Sequence, residues 1–120
     1  MQKLVFVYNA DSGFFNLASD IAHKIFSPAT YPCSLCDLTY GVFAIRSEWK
    51  AFKDRSTMPM DFLHKDEFLQ AYPTYAQTPL PVIFKAEGQH LEVFIDHTRL
   101  NAFDSVKPLI EAIETGLKTL

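Results

Sequence analysis

The sequence has 120 residues, of which 48% are hydrophobic and 14% aromatic, so one domain can bury a sizeable core without disulfides or metal ions. Its net charge is −3 and its eleven Lys and Arg residues are scattered, which excludes the clustered basic surface of a nucleic-acid-binding protein. The opening apolar run, residues 4–8, is too short for a signal peptide or a membrane span, so we expect a cytoplasmic protein with no membrane partner.

The first predicted unit is a strand followed by a helix. Residues 4–8 form a continuous apolar run, typical of a central strand covered on both faces. Asp11, Ser12 and Gly13 then supply helix-capping and turn residues. Apolar residues at helical spacing follow until Pro28 ends the element: Phe14, Leu17, Ala18, Ile21, Ala22 and Ile25.

An additional helix is predicted after Pro32. Its apolar residues alternate steps of three and four, as on one stripe of an amphipathic helix: Leu35, Leu38, Val42, Ile45, Trp49 and Phe52. A short strand over residues 60–64 follows, and then a small helix with Asp66 and Glu67 in its first turn that runs to about Tyr72. The proline-rich residues 73–81 are predicted to form a loop.

The last part of the chain predicts a hairpin and a helix. Residues 81–85 and 91–96 have strand patterns separated by a turn at Gly88, and the final helix begins near Asp104 or Ser105 with Pro108 in its first turn. The sequence therefore predicts a single α/β domain over residues 1–120. It has a four-stranded mixed sheet flanked by helices, with an extra helix after the first.

Cys33 and Cys36 are the only two cysteines, and they stand where the additional helix is predicted to begin. Amide dipoles at a helix N-terminus favour a thiolate, so Cys33 is the candidate attacking thiol and Cys36, one turn on, the candidate resolving thiol. Asp37 opposes this chemistry, because a nearby negative charge raises a thiol pKa, and no Lys, Arg or His is adjacent.

Two other interpretations of the cysteine pair stay open. Zinc binding needs four ligands, and His23 is the best third candidate after Cys33 and Cys36. Alternatively, both cysteines are small buried hydrophobes, as free cysteines often are.

A second group of candidate residues is polar. Asn9 and Asp11 follow the first strand, and His64 ends the second parallel strand. In open parallel sheets, ligands gather at the carboxyl ends of strands, so these three side chains form a candidate polar cluster. The competing interpretation is that His64 only caps the strand, while Asp66 and Glu67 stabilise a helix start.

The order of elements resembles the thioredoxin and glutaredoxin superfamily, and the local match is Thr78-Pro79-Leu80-Pro81-Val82-Ile83-Phe84. The resemblance implies a cis-proline before the third strand, at Pro81 by the glutaredoxin-like spacing or at Pro79 by the thioredoxin-like one. In that superfamily the CxxC motif lies between the first strand and the first helix. Residues 9–15 occupy that place here and contain no cysteine, so the superfamily's nucleophile is missing from its usual position.

A narrower resemblance is carried by the segments Tyr8-Asn9-Ala10, His23-Lys24, Ser27-Pro28, residues 30–41 and residues 62–68. They look like a family of small uncharacterised bacterial proteins in which the CxxC is displaced. This narrower resemblance implies no established activity. The cysteine pair and the resemblance to thioredoxins and glutaredoxins lead us to expect a thiol-disulfide oxidoreductase or redox sensor that acts on protein or small thiols without a cofactor. The alternative is a non-catalytic binding or adaptor module whose cysteines are structural or hold zinc.

Overall fold

The computed structural model describes residues 2–9, residue 35 and residues 46–118. Four strands, four α-helices and one 3-10 helix lie within these residues. In chain order they are β1 (Gln2–Val7), α1 (Ser47–Arg55), β2 (Met60–Leu63), α2 (Lys65–Ala71), the 3-10 helix (Pro73–Tyr75), β3 (Val82–Glu87), β4 (His90–Ile95), α3 (His97–Ala102) and α4 (Val106–Leu117).

The four strands form one mixed sheet in the order β2-β1-β3-β4. β1 is parallel to β2 and antiparallel to β3, and β3 and β4 form an antiparallel hairpin. Gly88 in the hairpin turn has φ +61°, and it is the one residue of the described chain with a positive φ, which fits a turn that needs glycine at its first central position. The predicted α/β architecture, a four-stranded mixed sheet flanked by helices, is confirmed.

The central strand β1 is buried on both faces, as its continuous apolar run predicts. Leu4 and Phe6 belong to one core cluster, which also contains apolar side chains of α1, α3 and α4. Val5 and Val7 point to the opposite face and join Phe68 of α2 in a second cluster. All five side chains are completely buried, so the sheet separates two apolar layers.

The predicted helix after Pro32 does not continue unbroken to Phe52. Leu35 is helical, but Arg46 has extended dihedral angles (φ −67°, ψ 136°), and α1 begins one residue later. Trp49 and Phe52 are nevertheless buried in the same cluster as Leu35. The helix predicted from Phe14 to Ile25, and most of the one after Pro32, lie outside the described residues.

The 3-10 helix Pro73–Tyr75 lies in the segment predicted to form a loop, and one α-helix, α3, was not predicted from the sequence. It is six residues long and buries only Leu100, and Asp96 caps it by accepting a hydrogen bond from the backbone N–H of Arg99 at 2.9 Å. The other boundaries agree closely with the predictions. β2 ends at Leu63, one residue earlier than expected, and α4 begins at Val106, so Pro108 does fall in its first turn.

The hairpin is irregular at Phe94. Ile83 lies opposite Ile95, whereas Phe84 lies opposite Val93, so Phe94 is an additional residue in β4, as in a β-bulge. The ring of Phe94 is half-buried against the first core cluster and faces Gly116 of α4. A Cβ atom placed on Gly116 would lie 2.5 Å from Cζ of Phe94, so a larger residue there would require the Phe94 ring to shift.

Candidate functional site

The candidate site lies at the end of the sheet where the carboxyl ends of β1 and β2 meet the start of β3, which we call the sheet edge. Val7, the last residue of β1, is opposite Leu63 of β2 on one side and Val82 of β3 on the other. The backbone N–H of Tyr8 donates to the carbonyl oxygen of Leu63 at 2.9 Å, which continues the pairing one residue further. Tyr8, His64 and Pro81 therefore all lie at this edge.

Pro81 and Pro79 were the two candidates for a cis-proline before the third strand. The Leu80–Pro81 peptide bond is cis, and it is the only cis bond in the part of the chain that the structure describes. Pro81 is buried immediately before β3, whereas Pro79 is exposed. Of the two candidate prolines, Pro81, the one with glutaredoxin-like spacing, therefore follows the cis bond.

His64 makes a close pair with Glu67 at this edge. Oε1 of Glu67 accepts a hydrogen bond from the backbone N–H of His64 at 2.8 Å and lies 2.6 Å from Nδ1 of the same residue. His64 is the N-cap of α2, and Glu67 is in its first turn, so the predicted placement of Glu67 is confirmed. The pair spans three residues, the spacing at which a side chain can reach back to an N-cap.

The hydrogen bonds from His64 also stabilise the ionised form of Glu67. The bond from the backbone N–H, followed by the one from the ring, lowers the pKa of Glu67 below its ordinary value. Glu67 is therefore ionised near neutral pH and can only accept hydrogen bonds. Consequently, the contact at 2.6 Å requires the hydrogen on Nδ1 of His64.

Tyr8 also packs against the His64 ring. The two ring centroids are 5.7 Å apart, and the Tyr8 ring also stacks on Phe62 at 6.4 Å. Tyr8 is buried, Asn9 is half-buried, and the His64 side chain is 30% exposed. The imidazole therefore contacts an aromatic ring and a carboxylate, and part of it stays accessible.

Two of the three residues of the predicted polar cluster, Asn9 and His64, lie within the described residues. Asn9 and His64 both lie at the same sheet edge, after β1 and β2 respectively. Asp11 lies outside the described residues. The structure adds Tyr8 and Glu67, which the sequence did not single out as partners of His64. The three-residue spacing was a usable signal for Glu67, while the contact with Tyr8 depends on strand register.

Leu35 is the one residue of the cysteine motif, Cys33-Ser34-Leu35-Cys36, that lies within the described residues. Cys33, Cys36 and the predicted zinc ligand His23 lie outside the described residues, so the three interpretations of the pair stay predictions. Leu35 is helical and completely buried. It belongs to the same core cluster as Tyr8 and Trp49, so Leu35 lies in the core layer on the sheet face that carries Tyr8.

Within residues 2–9, 35 and 46–118, no group of three or more His, Cys, Asp and Glu side chains is arranged to hold a metal ion. None of the helices found there is long and apolar enough to cross a membrane. Comparison of the chain with protein-family models, curated proteins and solved structures gives no match.

Proposed function

We propose that the protein is a thiol-disulfide oxidoreductase of thioredoxin-like architecture, in which Cys33 attacks a disulfide and Cys36 resolves the intermediate. Its substrates are disulfides of proteins or of small thiols, and it acts in the cytoplasm without a cofactor. The observation that carries the proposal is the burial of Leu35, which immediately precedes Cys36, in the core cluster that contains Tyr8. This burial supports the proposal because Leu35 lies in the core layer on the sheet face that also carries Tyr8.

Two features of the fold support this proposal. The four-stranded mixed sheet flanked by helices, with β1 parallel to β2 and a β3–β4 hairpin, is consistent with the architecture that the resemblance to thioredoxins and glutaredoxins implies. In open α/β sheets, ligands bind outside the carboxyl ends of the parallel strands. Tyr8 and His64 follow β1 and β2 at that edge, and Leu35 shares a core cluster with Tyr8.

The proposed reaction is a two-electron exchange. The thiolate of Cys33 attacks one sulfur of the substrate disulfide, and the electron pair of the broken S–S bond leaves on the other sulfur. The thiolate of Cys36 then attacks the sulfur of Cys33, which releases the second substrate thiolate and leaves a Cys33–Cys36 disulfide. The two protons lost by the cysteines are taken up by the two product thiols. A small-thiol or dithiol reductant restores the reduced pair.

The test measures thiol reactivity and turnover together. Alkylation of each cysteine by iodoacetamide is followed by mass spectrometry between pH 5 and 10, and turnover is followed with a small aromatic disulfide and a dithiol reductant. We expect Cys33→Ser to abolish turnover, and Cys36→Ser to accumulate a mixed disulfide at Cys33. Ser34→Ala, within the same motif, is the matched control and should keep its activity.

Two outcomes would contradict the proposal. Slow alkylation of both cysteines that does not change between pH 6 and 8 would show that neither thiol is activated, and would favour the adaptor module. A zinc adduct would favour a metal site at Cys33, Cys36 and His23. It would be detected as a native mass that falls by one zinc on denaturation, in protein purified without chelator or reductant.

A further inference from the structure

We propose that the cavity between β4, α3 and α4 binds a small zwitterion, that is, an amino acid or short peptide with a free ammonium group, a free carboxylate and an apolar side chain. The cavity has a volume of about 490 Å³, and sites for small molecules usually have volumes of about 300–1,000 Å³. Tyr8, His64 and Pro81 are not among its lining residues, so binding there does not depend on the proposed thiol-disulfide activity.

The apolar part of the lining comes from the end of β4 and from α4. Phe94, the additional residue in β4, and its neighbour Ile95 contribute from the sheet. Pro108 and Ala112 contribute from the helix. Ile95 is buried, whereas Phe94, Pro108 and Ala112 are half-buried, so the cavity leaves apolar surface in contact with water. An apolar side chain bound there would cover this surface, which is favourable.

One face of α4 places a carboxylate and a hydroxyl beside this apolar surface. Pro108, Glu111, Ala112 and Thr115 follow one another at positions i, i+3, i+4 and i+7, which is the spacing of a single helix face. All four residues line the cavity, and Glu111 and Thr115 are exposed. The helix therefore offers an acceptor for an ammonium group next to apolar contacts.

Arg99 adds a positive charge to the same cavity from a different helix, α3. Among the described residues, neither Arg99 nor Glu111 takes part in an ion pair. A guanidinium can bind a carboxylate through two parallel hydrogen bonds. A ligand with only a negative charge would be repelled by Glu111, and one with only a positive charge would be repelled by Arg99. The complementary ligand therefore carries both charges.

The first test titrates the wild-type protein with the dipeptide alanyl-phenylalanine and follows the backbone amides in ¹H–¹⁵N spectra. We expect saturable shifts in α3, in α4 and around Phe94. The same titration is repeated with the dipeptide amidated at its carboxyl end and with the dipeptide acetylated at its amino end. Each blocked peptide should bind on the order of 10-fold more weakly, because it loses one charge-assisted hydrogen bond.

Two variants assign the charges to their partners. Arg99→Gln should weaken binding of the free dipeptide by roughly 10-fold and leave binding of the amidated peptide unchanged. Glu111→Gln should do the same for the free dipeptide and leave binding of the acetylated peptide unchanged. Glu114→Gln is the matched control, because Glu114 belongs to the same helix but pairs with Arg55 at 3.6 Å and does not line the cavity. It should bind the dipeptide as the wild type does.

Three outcomes would overturn the proposal. The first is the absence of saturable shifts at about 10 mM dipeptide, a concentration that fills even a site with a millimolar Kd. The second is equal binding of the free and the blocked peptides by the wild-type protein, a comparison that needs no variant to fold. The third is a loss of binding in Glu114→Gln as large as that in Glu111→Gln.

Discussion

The hydroxyl oxygen of Tyr75 accepts a hydrogen bond from the backbone N–H of Leu91 at 3.0 Å, across sixteen residues of sequence. This bond joins the 3-10 helix to β4, a strand at the edge of the sheet. An edge strand presents unpaired backbone groups that can pair with another chain. The Tyr75 hydroxyl pairs with one of these groups, the backbone N–H of Leu91.

Replacing Tyr75 with Phe should therefore weaken the domain and expose this amide. Leaving a buried donor without an acceptor costs about 1–3 kcal/mol, and we expect Tyr75→Phe to lower the free energy of unfolding by that amount in urea titrations. Hydrogen exchange should quicken at the Leu91 amide more than at the Phe84 amide in the middle of β3. Equal acceleration at both sites would contradict a local role for the hydroxyl.

The contact between Phe94 and Gly116 predicts coupling between two substitutions. Gly116→Ala forces the Phe94 ring to move, because the new Cβ would lie 2.5 Å from Cζ, and overpacking costs about 1–3 kcal/mol. In a Phe94→Ala background the clash is absent, and alanine should stabilise α4 by up to about 1 kcal/mol relative to glycine. A double-mutant cycle measured by urea unfolding checks this, and additive effects would contradict it.

The pH dependence of stability should report the bond between Glu67 and His64. The folded-state pKa of Glu67 is lowered, so its stabilising contribution is present above its unfolded pKa, ordinarily about 4.3, and is lost as pH falls through the lower folded value. Glu67→Gln should thus destabilise the protein near neutral pH, and the difference from wild type should narrow in acid. Glu111→Gln is the control, because Glu111 makes no ion pair among the described residues.

Trp49 is a buried donor with no acceptor among the described residues. Its indole Nε1–H lies in the core without a hydrogen-bond partner there, in contact with the rings of Phe6 and Phe52. Trp49→Phe removes the unsatisfied donor while keeping an aromatic ring, so the lost packing is largely offset and we expect a change within about 1 kcal/mol. Trp49→Ala should cost about 3–5 kcal/mol. A large loss in Trp49→Phe would show that the indole nitrogen is satisfied.

Local patterns were sufficient to predict most of the described fold. The uninterrupted apolar run identified β1, and alternation about Gly88 identified the hairpin. Two errors arose where periodicity carries little information. α3 is short and buries one side chain, Leu100. The helical spacing of apolar residues in the sequence runs on past Arg46, so it gives no sign that the helix is broken there. For the site, the spacing of His64 and Glu67 was readable, but the contact with Tyr8 required the register between β1 and β2.

The position of β1 in the sheet has a consequence for folding. This strand is the first of the four to be synthesised, yet both of its partners, β2 and β3, come much later in the chain. Contacts of such high contact order form slowly, because a long loop must close before they yield any stabilisation. During translation β1 therefore stays only partly paired until β3 and β4 have emerged. Chaperone capture of the nascent chain should persist until then and end when the hairpin completes the sheet.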